Sequence, residues 1–264
     1  MQKFVVGLAL AGVAVAGCSA EGDGHPEPTM SNQITSSAGL SAVPTPASAA
    51  PAVPTDPALR TGAIFDTRTG KHFCTGSVVG RDLVMTAAHC IFPSGGSFYD
   101  RRISFVPQWS RGHKPVGQWV PAQMLVPSGW IKSGDPDLDV GFMSVKPLHG
   151  KHIGDLLGET ALAFNTGFNQ VVRLTGYPSD DSSAATCVNR ARRFSATQLR
   201  ITCRNFTTGT SGSPWVARDP ASETPEVIGV LGGHLTGGNS PNVSYAAYFG
   251  GDIQALYDRA VKIL

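Results

Sequence analysis

The thirty residues TGAIFDTRTGKHFCTGSVVGRDLVMTAAHC, Thr61 to Cys90, alternate short apolar runs with breaks rich in glycine and aspartate. Ala63-Ile64-Phe65, Phe73 to Val79 and Leu83 to Ala87 are each too short to stand as helices, and they read as strands joined by tight turns. Similar units recur at Ile103–Val106, Trp119–Val126, Val140–Val145, Gln170–Leu174, Leu199–Cys203, Val227–Leu231 and Val243–Phe249. Repeated short strands without helical periodicity predict an all-β chain built from barrels or a sandwich. The C-terminus differs. Ile253, Leu256, Tyr257, Ala260, Val261 and Leu264 recur at helical spacing with Asp252 placed to cap the start, which predicts one closing amphipathic helix.

Composition agrees with strands and turns. The 264 residues include 31 Gly and 19 Pro, and only 15% are charged. A net charge of +2 with no outstanding Lys/Arg cluster gives no electrostatic basis for a nucleic-acid partner. No cofactor motif and no metal-ligand spacing is present, and nothing points beyond a monomer.

The first residues read as a targeting segment. Lys3 precedes an apolar run, Phe4 to Ala16, that is shorter than the roughly 20 residues of a membrane-spanning helix, so residues 1–18 are expected to be a secretory signal. The run ends in VAGC, Val15 to Cys18, which resembles the lipobox of bacterial lipoproteins. That resemblance implies lipidation of Cys18 and membrane anchoring through it; the alternative is ordinary cleavage that discards Cys18. Residues 19–60 are dominated by Pro, Ala and Ser, too poor in large apolar side chains to offset ordering entropy, and are expected to form a linker or pro-segment. The folded domain is expected over residues 61–264. Setting Cys18 aside, four cysteines remain (Cys74, Cys90, Cys187 and Cys203), an even set suited to two disulfides in an oxidising compartment.

Three segments carry chemistry. In TAAHC, Thr86 to Cys90, a histidine stands beside a cysteine after a buried strand, and a bridge from Cys74 would pin the loop bearing His89. In DPDLDVGFMSV, Asp135 to Val145, an EF-hand register would place Lys146 where the final acid belongs, so an EF-hand loop is rejected. Asp135 and Asp137 read as loop carboxylates, whereas Asp139 opens an apolar strand and needs a partner once buried. In NFTTGTSGSPWV, Asn205 to Val216, glycines around Ser211 allow backbone N–H groups to converge beside a hydroxyl. His89, Asp139 and Ser211 thus supply a base, an orienting carboxylate and a nucleophile. The remaining histidines (His25, His72, His113, His149 and His152) read as solvated.

TGSVVGRDLVMTAAHC, DLDVGFMSV and GTSGSP together resemble the three signature segments of chymotrypsin-like serine endopeptidases, with the bacterial secreted branch that includes glutamyl endopeptidases the most similar. The resemblance spans about Thr61 to Leu264. It implies two antiparallel six-stranded β-barrels with a C-terminal α-helix, and a cleft between the barrels holding His89, Asp139 and Ser211. It further implies an oxyanion hole from the N–H groups of Gly209 and Ser211, disulfides Cys74–Cys90 and Cys187–Cys203, and a peptide or protein as substrate.

The chain departs from that family at several points. Thr210 stands where digestive members carry the aspartate that pairs with a new N-terminal amine. Asn205 occupies the position of the acid that selects Arg or Lys, and Leu231 that of a carboxylate-binding histidine. Asn205, Phe206 and Thr208, together with Gly232, Gly233 and His234, are the expected substrate-binding residues. A non-catalytic peptide-binding protein on the same fold and a triad esterase are the alternatives.

Overall fold

The computed structural model describes residues 56–99, 102–219, 221 and 223–263. The expected signal 1–18, Cys18 and residues 19–55 lie outside these. Pro57–Arg60 form a 3-10 turn whose N-cap Asp56 accepts from the Ala58 N–H at 3.0 Å. This turn is fastened to the body: Arg60 Nε donates to the Leu157 carbonyl at 3.1 Å, and Gln108 Nε2 to the Leu59 carbonyl at 3.0 Å.

The first half is one antiparallel sheet. Its strands are β1 (Thr61–Asp66), β2 (Lys71–Val78), β3 (Leu83–Thr86), β4 (Ile103–Pro107), β5 (Pro121–Leu125) and β6 (Gly141–Val145), in the order β4-β1-β2-β3-β6-β5. A bulge between Ile64 and Phe65 curls β1. Short helices α1 (Ala88–Ile91), α2 (Ser128–Ser133) and α3 (Ile153–Leu157) lie in the connections. Ile64, Phe105, Trp119, Met143 and Ile153 fill the concave side, all essentially buried.

The second half contains β7 (Ala161–Leu162), β8 (Val171–Gly176), β9 (Ala185–Arg190), β10 (Arg192–Arg193), β11 (Gln198–Thr202), β12 (Pro214–Arg218), β13 (Pro225–Val230) and β14 (Val243–Ala247). They form a five-stranded sheet, β7-β13-β12-β8-β9, and a three-stranded sheet, β10-β11-β14. Leu174, Leu199, Ile201, Trp215 and Ile228 make their shared core.

Two closed six-stranded barrels are therefore not what this chain builds. The first sheet is an open half-barrel. Its edge strands β4 and β5 share no ladder, and only the single bridge Phe105↔Trp119 spans the gap. Pro121 at the start of β5 has no N–H to donate, and the register slips between Pro121 and Gln123. In the second half, β9 and β11 are joined by the Cys187–Cys203 disulfide and by Asn189 Nδ2 donating to the Thr202 carbonyl at 2.7 Å, rather than by strand pairing. The two sheets meet through an isolated bridge, Leu231↔Ala246.

Helix α4 (Gly251–Ile263) buries Ile253, Leu256 and Ala260. These pack with Met85 and Phe142 of the first sheet and Val227, Val230 and Phe249 of the second half, so one apolar face ties both halves together. Val261, expected on that face, is exposed. His72, expected to be solvated, is buried, with Nε2 2.8 Å from the Pro178 carbonyl. His152 is bonded to Asp82 at 2.5 Å.

Candidate active site

His89 sits in α1, and the Cys74–Cys90 disulfide (S–S 1.95 Å, Cα–Cα 6.1 Å) ties that turn to β2. Asp139 follows the 3-10 turn Pro136–Leu138 and leads into β6. Its side chain is completely buried, a costly place for a carboxylate without donors. Three donors converge on it. The His89 backbone N–H reaches Oδ1 at 2.9 Å, His89 Nδ1 lies 2.7 Å from Oδ2, and the Gly233 N–H donates to Oδ2 at 2.9 Å. An ionised carboxylate only accepts, so Nδ1 carries the proton in this contact, and in a neutral imidazole Nε2 is then the acceptor.

The other two acids of that loop have structural duties. Asp135 Oδ1 accepts from the Asp137 N–H at 3.0 Å, and Asp137 Oδ1 from Gln198 Nε2 at 2.7 Å.

Ser211 lies on a turn folded largely onto its own backbone. Thr210 N–H and Thr210 Oγ1 both donate to the Thr207 carbonyl, at 3.1 and 2.7 Å. Gly212, at φ +86°, passes so near β2 that a Cβ would lie 2.1 Å from the Thr75 carbonyl, so no side chain fits there. Thr75 grips the turn from β2: its N–H donates to the Ser211 carbonyl at 2.7 Å and its hydroxyl to the Gly209 carbonyl at 3.0 Å. The Tyr177 N–H in turn donates to the Thr75 hydroxyl at 2.9 Å.

Two backbone N–H groups of residues that line the cleft, those of Gly209 and Ser211, are oriented by the carbonyls of their own peptide units. In a trans peptide the C=O and N–H point in opposite directions. The Thr208 carbonyl is held by the Ser179 N–H at 2.7 Å, which turns the Gly209 N–H the other way. The Thr210 carbonyl accepts from Ser213 twice, from N–H at 3.0 Å and from Oγ at 2.6 Å, which orients the Ser211 N–H likewise. Among the described residues, neither the Gly209 nor the Ser211 N–H donates to a protein acceptor.

His89 and Ser211 line the same cleft, of about 650 Å³, with Phe206, Thr208, Leu231 and Tyr99 among its walls. No hydrogen bond joins the Ser211 hydroxyl to His89 among the described residues; the pair is brought to one groove, while His89 and Asp139 are joined directly.

The structure divides the expected substrate-binding residues. Phe206 and Thr208 line the cleft. Asn205 is exposed, at φ +64°, and outside the lining. Gly232 and Gly233 are packed against Asp139: a Cβ on Gly232 would lie 2.8 Å from Asp139 Oδ2. His234 packs against Phe194 (tilted) and Tyr245 (edge-on), each ring centroid 4.8 Å away, and does not line the cleft. The walls that sequence reasoning missed are Phe73, Tyr99 and the segment Thr236 to Pro241. The left-handed Leu235 and Thr236 and the glycines that follow shape that segment, and GG at 237–238 is its sequence signal. Cys74, His89 and Cys90 also form a group with metal-ligand proximity, but both sulfurs are taken up in the disulfide.

The model of the trypsin-like peptidase domain matches residues 74–230. A glutamyl endopeptidase of Bacillus licheniformis is 27% identical over 42% of this chain and 34% of its own length. An extracellular metalloprotease of Bacillus subtilis is 26% identical over 64% of this chain and 53% of its own. The chain thus spans about a third and about half of these curated relatives. A solved thermostable serine protease from an extremophilic microorganism superposes with a TM-score of 0.68 at 25% identity, covering 78% of this chain and 99% of that one.

Proposed function

Because the chain belongs to the trypsin-like peptidase domain family, we propose that it is a serine endopeptidase working through an acyl-enzyme, with residues 61–264 as the peptidase domain. His89 Nε2 takes the proton of the Ser211 hydroxyl as Oγ attacks the peptide carbonyl. The N–H groups of Gly209 and Ser211 bind the oxyanion, a type of contact worth roughly 3 kcal/mol per donor. The imidazolium, stabilised by Asp139, hands its proton to the leaving amine, and water then repeats the sequence on the acyl group.

The observation that carries this reading is the 2.7 Å contact of His89 Nδ1 with a buried Asp139, its ring lining the cleft that Ser211 also lines. An exported site of action, with Cys18 as the lipid anchor, completes the proposal. The apolar run before VAGC, two disulfides and the relative named as extracellular support it.

The test is labelling of the folded chain by a fluorophosphonate, beside hydrolysis of a protein substrate, in wild type and Ser211→Ala. Wild type labels and cleaves while the variant does neither. Failure of folded wild type to label rejects the proposal in favour of a binding module, and labelling with ester but no peptide hydrolysis makes it an esterase.

A further inference from the structure

The cleft beside Ser211 has an unusual chemical lining. Among the described residues that form it, the ionisable side chains are His89 and Tyr99 alone; Cys74 is held in its disulfide. Leu231 and Phe206 are almost wholly buried beneath it, 4% and 5% exposed. Thr208, Thr236, Asn239 and Ser240 supply uncharged hydroxyl and amide groups at the sides.

Leu231 is locked in this position. Its N–H donates to the Ser213 carbonyl at 2.9 Å and its carbonyl accepts from the Gly212 N–H at 2.7 Å, both partners in the two residues that follow Ser211. Its Cδ2 lies where a Cβ on Gly237 would be only 2.4 Å away, so the opposite wall closes down on the leucine itself. Neither the exposed Asn205 nor His234, which is packed among aromatic rings, lends a polar or charged end to this space.

From this we infer the substrate class: the enzyme cleaves after an uncharged, apolar side chain and discriminates against both acidic and basic ones. This inference rests on the peptidase reading above. Among the described residues of the lining, a carboxylate entering the pocket finds no lysine or arginine and an ammonium or guanidinium finds no acid, so either would lose hydration without a partner. Apolar side chains instead gain contact with Leu231 and Phe206.

The test uses the full chain and a series of fluorogenic tetrapeptides identical except at the residue before the cleaved bond: Leu, Phe, Glu and Lys. Preference for Leu or Phe over Glu and Lys is expected to be about 100-fold in kcat/KM. A Glu or Lys substrate within tenfold of the best neutral one overturns the inference. Leu231→Lys, which places a cation at the pocket floor, should narrow the Leu-to-Glu ratio at least tenfold, and Ser240→Lys serves if the first variant does not fold. An unchanged ratio in a folded variant also overturns it. Fluorophosphonate labelling run in parallel separates the two claims. Labelled enzyme that prefers a charged residue sinks the substrate class alone, whereas unlabelled wild type sinks the peptidase reading and the substrate class together.

Discussion

Thr75 and Ser211 meet across the two halves of the molecule, the N–H of Thr75 donating to the Ser211 carbonyl at 2.7 Å while its hydroxyl holds the adjoining Gly209 carbonyl. Thr75→Val keeps the shape and the backbone bond but removes the hydroxyl, leaving the Tyr177 N–H buried without its acceptor. Loss of about 1–3 kcal/mol in urea unfolding is expected. The same change frees the Gly209 carbonyl, so kcat should fall about tenfold with KM little altered. Thr75→Ser, which restores the hydroxyl, should recover both values.

Asp139 offers a sharper lesion. Three donors already surround its carboxylate, so Asp139→Asn turns an NH₂ group toward at least one of them and takes away the acceptor that sets the His89 tautomer. Peptide hydrolysis should drop by about three to four orders of magnitude. Circular dichroism should show the fold retained, and a variant with near-normal kcat would rule out this role for Asp139.

The two disulfides each close a sequence separation of 16 residues, so the chain-entropy argument assigns them similar stabilities of about 3 kcal/mol. Their removal should nevertheless differ in outcome. Replacing Cys74 and Cys90 by alanine loosens the turn bearing His89 and should cut kcat/KM, whereas the alanine pair at Cys187 and Cys203 should lower stability alone. Guanidinium titration and steady-state kinetics on both double variants distinguish the two.

Alkali should expose the buried phenol of Tyr177. Desolvation by burial raises its pKa above the ordinary tyrosine value, so the folded protein keeps this group neutral where the unfolded chain ionises it. The unfolded state then binds fewer protons, and stability falls as pH rises above about 10. Tyr177→Phe removes the titrating group and should flatten the decline between about pH 10 and 12, measured by denaturant unfolding at each pH.

Local patterns in the chain were informative and their closure was not. The apolar runs near Ile64, Val78 and Val84 announce strands because each side chain's burial follows from its own neighbours in sequence. Whether a sheet shuts into a barrel depends on its edges, and here Pro121 withholds a donor at one edge while a disulfide and an asparagine stand in for pairing at another. The same contrast holds at the site. His89 and Asp139, drawn from segments fifty residues apart, lie in direct contact. Thr75 carried no signal, because its importance arises only when a turn from the other half folds against it. Gly233 and His234 are expected at the substrate only through the family resemblance, and their contacts with Asp139 and with Phe194 and Tyr245 arise from segments distant in sequence.

The bridge from Leu231 to Ala246 is where the five-stranded and three-stranded sheets are stitched, and both backbone groups of the same leucine are bonded to Gly212 and Ser213, directly after Ser211. Any breathing of that seam must either carry residue 231 along or rupture its clasp. The wall of the cleft at Leu231 and the turn that carries Ser211 therefore share one set of backbone bonds, so that a shift of the seam is passed to both.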